Sequence, residues 1–100
     1  MATTYHVRFP DYLDGYEVET EAKGYLVGVT VSAGSRSFEL TIYDRARLVQ
    51  ELDDELDSDV SYFAIPNLLV VRSVTRGEIS NAIENLAKGN FQELMPNPAG

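Results

Sequence analysis

The sequence predicts an α+β fold in two layers. The expected sheet is antiparallel, a meander of about four strands plus a short hairpin, with two helices on one face. Three observations point to it. Much of residues 5–43 alternates apolar and polar side chains, with turn residues between the runs. The period of the apolar positions becomes helical after Asp44 and again after Thr75. The connections are short, and runs of neighbouring strands favour an antiparallel sheet with the helices segregated from it.

Taken in order, Tyr5, Val7 and Phe9 alternate with His6 and Arg8, a half-buried strand signal that Pro10 can end because proline donates nothing to a ladder. Residues 10–15 read as a turn region. Over 16–22, Tyr16, Val18, Thr20 and Ala22 alternate with Glu17, Glu19 and Glu21, which predicts a second strand. Lys23-Gly24 is then a turn, 25–31 a third strand, 33–36 a four-residue turn and 37–43 a fourth strand. Both turns place Val27, Val29 and Val31 on one face with Phe38, Leu40 and Ile42. A one-residue slip would send that whole set to water. The opposite face carries the three glutamates together with Leu26, Gly28, Thr30, Glu39, Thr41 and Tyr43.

Residues 44–57 predict a helix with Asp44 as N-cap and an apolar stripe of Leu48, Val49, Leu52 and Leu56. Residues 60–65 and 68–72 read as the short hairpin about Pro66-Asn67. The second helix starts at Thr75-Arg-Gly-Glu78, the spacing of a capping box, with Val74 and Ile79 at the staple positions. Its core stripe is Ile79, Ala82, Ile83 and Leu86, and Gly89 is the expected left-handed stop. Phe91 and Leu94 are placed to fold back as a lid. One hundred residues suit a single core, read as one domain over 1–94 with a flexible tail over 95–100.

Composition excludes several classes of function. Hydrophobic residues at 44% and charged residues at 24% are those of a folded chain, not a disordered one. There is no cysteine, hence no disulfide framework, thiolate metal site or cysteine nucleophile. No apolar run approaches the ~18–20 residues of a membrane span, and the N-terminus lacks the basic and apolar regions of a signal peptide. The expected location is cytoplasmic. Sixteen acids against eight bases give a net charge of −8, which opposes nucleic acid and anionic lipid, whose binding draws on clustered Lys and Arg. The bases are scattered. Twelve of the sixteen acids fall in residues 11–21 and 44–59.

Chemistry-bearing patterns are sparse. His6 is the single histidine, with no nucleophile motif to serve. Glutamates on one strand face stand about 7 Å apart, too far for two to hold one ion directly. A calcium loop counted from Asp53 fails, because Ser58 and Ala64 occupy the positions of the required Gly and Glu. No phosphate loop is present. The acids that close the first helix run against its dipole, since Arg45 and Arg47 open it and Asp53, Asp54, Glu55 and Asp57 end it. Local conflicts of this kind are expected where a surface is used.

The expected function is therefore a non-catalytic, acidic protein-binding module that docks on a basic protein partner, with no cofactor and no metal. The expected contact residues are Tyr12, Tyr16, Glu17, Glu19, Glu21, Glu39, Asp53, Asp54 and Asp57. The alternative is a structural domain forming homodimers through a sheet edge, and third comes a small-molecule binder or an enzyme.

Overall fold

The computed structural model of the protein describes residues 4–57 and 62–97. The element order is β1 (His6–Arg8), a 3₁₀ turn (Asp11–Leu13), α1 (Glu17–Lys23), β2 (Tyr25–Ala33), β3 (Arg36–Tyr43), α2 (Arg45–Leu56), β4 (Leu68–Val70) and α3 (Arg76–Lys88). The four strands form one sheet in the order β1-β2-β3-β4. Its first three strands are antiparallel neighbours, and β4 runs parallel to β3. The α+β class holds.

The central hairpin follows from alternation. Val31 pairs with Phe38 and Val29 with Leu40, as expected, and all four are buried while Glu39 is exposed. The turn is tighter than expected. Ala33 pairs with Arg36 across Gly34-Ser35, with Gly34 at φ 63, a conformation that a glycine enters without steric cost.

Nearer α1 the register departs from expectation. It shifts between Val27 and Val29, where Gly28 stands at φ 89. The bulge inserts one residue, so Leu26 pairs with Ile42 and points into the core while Val27 turns outward, 45% exposed. Val27 is thus not a core residue and Leu26 is.

The strand expected over 16–22 is a helix instead. Three alternations are weak evidence against what the same residues offer a helix. Glu17 and Glu19 lie in the first turn, Lys23 lies in the last, and Gly24 caps it at φ 76. Glu, Ala and Lys also favour helix over strand. Only Thr20 of α1 is buried, and Val18 is 75% exposed. The place beside β2 goes to β1, with Val7 opposite Val31. The glutamates therefore form no row on the sheet.

The short hairpin is a second correction. Residues 62–65 form no strand, and 60–61 lie outside the described residues. Leu68–Val70 joins β3 in parallel after the α2 crossover, which a parallel pair requires.

α3 and the sheet enclose the core. Ile79, Ile83, Ala87 and Phe91 lie fully buried with Leu26, Val29, Val31, Phe38, Leu40 and Ile42. The Thr75 hydroxyl accepts from the Glu78 amide at 3.3 Å, and Val74 is buried beside Ile79. The return half of the capping box is replaced, because the Thr75 amide donates to the Ser73 carbonyl. The stop is also displaced. Gly89 has φ −98, and the left-handed positions are Asn90 and Phe91, at φ 57 and 58. That reversal drops the Phe91 ring between Tyr5 and Phe38, with centroids at 5.6 and 5.4 Å. Of the segment 95–100, Met95 exchanges two hydrogen bonds with the Asn67 side chain, and the Asn97 amide donates to Ser37.

Candidate functional site

Before its strand, the chain lays two tyrosines on the surface. Tyr12 sits in the 3₁₀ turn and is 54% exposed, and Tyr16 precedes α1 and is 61% exposed. The first is fixed: its hydroxyl donates to the Val27 carbonyl at 2.6 Å. Because the Gly28 bulge turns Val27 outward, that residue, Tyr25 and the two tyrosines face a common groove. The groove has a volume of about 470 Å³, and Glu19, Thr20 and Lys23 of α1 complete its wall. Tyr25 has a guanidinium over its ring already, with the Arg47 carbon 4.3 Å from the centroid.

The nine expected contact residues do not form one surface. Tyr12, Tyr16 and Glu19 line the groove. Glu17 turns away: it accepts from the Gly15 amide at 3.0 Å and lies 3.6 Å from Arg76, which is bonded to Asp14 at 2.6 Å. Glu21 lies beside Val18 in a smaller cleft against Val74 and Arg76. Glu39 borders a third cleft with Asn67 and Met95. Asp53, Asp54 and Asp57 are exposed at the end of α2. A strand over 16–22 would set Tyr16 on the face opposite the glutamates, toward the core; as the N-cap of helical α1 it is exposed instead.

Sequence reasoning missed Tyr25, Val27 and Lys23. The available signal was Gly28 within an otherwise β-branched run, since a glycine there often marks a bulge.

Three of the arginines are engaged with the molecule's own groups. Arg36 bonds Asn90 at 2.7 Å and lies over Phe38. Arg47 pairs with Glu51 at 2.7 Å, and Arg76 with Asp14 while covering Phe9. These bases hold elements together, whereas Glu19, Glu21, Glu39, Asp53, Asp54 and Asp57 have no ion-pair partner among the described residues. One perturbed group stands near α2. Burial pushes the Tyr43 phenol above its usual range, Glu51 beside it adds to the shift, and Arg47 opposes it.

Among the described residues no group of three or more His, Asp or Glu is placed to hold a metal ion, and no helix is long and apolar enough to cross a membrane. Compared with family models, curated proteins and solved structures, the chain matches none of them. The site's own geometry and charge therefore carry the functional reading.

Proposed function

We propose that the protein is a non-catalytic binding module that docks on a basic protein partner through the groove between α1 and β2. The observation that carries this is the pair of exposed tyrosines, Tyr12 and Tyr16, facing Val27 and Tyr25 across one concavity on a chain of net charge −8. Tyrosine offers large, rigid contact area with a polar tip, and it is enriched at the centres of interfaces. The bond from Tyr12 to Val27 orders one ring before binding, which lowers the entropy lost on association. Glu19 on the wall and the unpaired acids around the molecule attract a basic surface and raise the rate of encounter. A sheet-edge dimer is less favoured, because both edge strands are only three residues long, one of the ways sheets are protected from pairing.

The test is capture from a cell lysate at low and high salt by the immobilised wild type, Tyr16→Ala and Glu19→Lys. The wild type is expected to retain a basic polypeptide with salt-dependent association. Tyr16→Ala should release it faster and Glu19→Lys should acquire it more slowly. Equal retention by all three proteins, or no basic polypeptide retained by the wild type, would contradict the reading.

A further inference from the structure

α2 has an apolar stripe, yet none of its residues is buried. The edge bearing Arg47, Glu51 and Glu55 is turned to the molecule's own Tyr25 and Tyr43. Leu48 and Leu52 are half-buried, while Val49 and Leu56 remain 49% and 51% exposed. At 3.6 residues per turn, Arg45, Val49, Leu52, Asp53 and Leu56 share the outward stripe. That stripe is basic at its N-terminal end and acidic at its C-terminal end, opposite to what the helix dipole favours. Arg45, Asp53 and Asp57 have no side-chain partner among the described residues.

An arrangement that is unfavourable in one helix is complementary between two antiparallel ones. The twelve residues of α2 span about 18 Å. A twofold axis through the middle of the helix sets the first turn of one copy level with the last turn of the other. Arg45 then meets Asp53 and Asp57, twice by symmetry, and Val49, Leu52 and Leu56 pack across the axis. Each helix N-terminus also lies beside the other's C-terminus, so the dipoles attract.

We propose that α2 is the interface of a twofold homodimer, whose occupant is a second copy of this chain. Both charge signs lie on the same stripe, so a second copy satisfies both, whereas a wholly basic partner would meet Arg45 as a like charge. The dimer is weak, because one helix pair buries less than the roughly 1,200 Å² at which stable interfaces begin. The inference is independent of the groove, which lies on other elements.

Sedimentation of the full chain from micromolar to millimolar concentration tests it. The wild type should pass from monomer to dimer. Arg45→Glu, and Asp53→Lys combined with Asp57→Lys, should each weaken self-association about tenfold or more, because each makes the facing stripes alike in charge. Mixed in equal amounts, these two variants should form a heterodimer at the wild-type concentration. Circular dichroism and the denaturation midpoint report that both remain folded. A wild type that is monomeric throughout, a dimer that neither variant weakens, or two folded variants that do not associate when mixed would each overturn the proposal.

Discussion

Gly24 carries two demands at once. It ends α1 at φ 76, and a Cβ there would stand 2.6 Å from the carboxylate oxygens of Asp44. Those oxygens cap α2 by accepting from the Arg47 amide at 2.8 Å. Gly24→Ala should therefore cost more than the ~1–2 kcal/mol of a left-handed alanine alone, since it also displaces a cap. A denaturation midpoint within error of wild type would contradict this. Tyr43 gives a second residue-scale outcome. Its folded pKa is raised, so the folded state holds the phenolic proton longer than the unfolded state. The stability this provides is complete below the unfolded value of 10.0 and is lost as pH rises through the folded value. Tyr43→Phe should flatten the fall in stability above that pH, and an unchanged alkaline slope would show that the phenol is not responsible.

Among the elements, α3 was legible because several signals agreed. A cap, a staple and an apolar stripe all name the same start, and Thr75→Ala should cost about 0.5–2 kcal/mol by leaving a first-turn amide without its acceptor. An unchanged midpoint in urea would remove the cap from the account. The same holds for α2, whose Asp44 cap and boundaries match the expected ones. α1 was misread because its signals conflict. Tyr16, Val18, Thr20 and Ala22 alternate as a strand does, but no element covers Val18, and only the glutamates, Lys23 and Gly24 reveal the helix. The parallel β4 was illegible for another reason. It depends on which strand lies next to which, and the sequence of one strand does not state its neighbour.

At the scale of the whole molecule, three of the arginines serve internal contacts while Arg8, Arg45 and Arg72 are exposed. Arg36, Arg47 and Arg76 bind its own carboxylates, amides and rings, while most acids are left to solvent. This separation was only half legible in the sequence. The excess of acids and their two segments could be counted, but pairings such as Arg76 with Asp14 join residues 62 positions apart. The candidate site shows the same division. Tyr12, Tyr16 and Glu19 are near neighbours in sequence, whereas Tyr25 and Val27 reach the groove only through the bulge. The groove is walled by Tyr12, Tyr16 and Tyr25, with Glu19 and Lys23 beside them.

The most direct measurement is a nitrogen-15 NMR titration of the labelled chain with a basic polypeptide of the kind the proposed function calls for. The amide signals of Tyr12, Tyr16, Glu19, Thr20, Tyr25 and Val27 should shift together and saturate, with those of the α3 core unmoved. Saturating shifts confined to other surfaces, with the groove signals unchanged, would contradict the account.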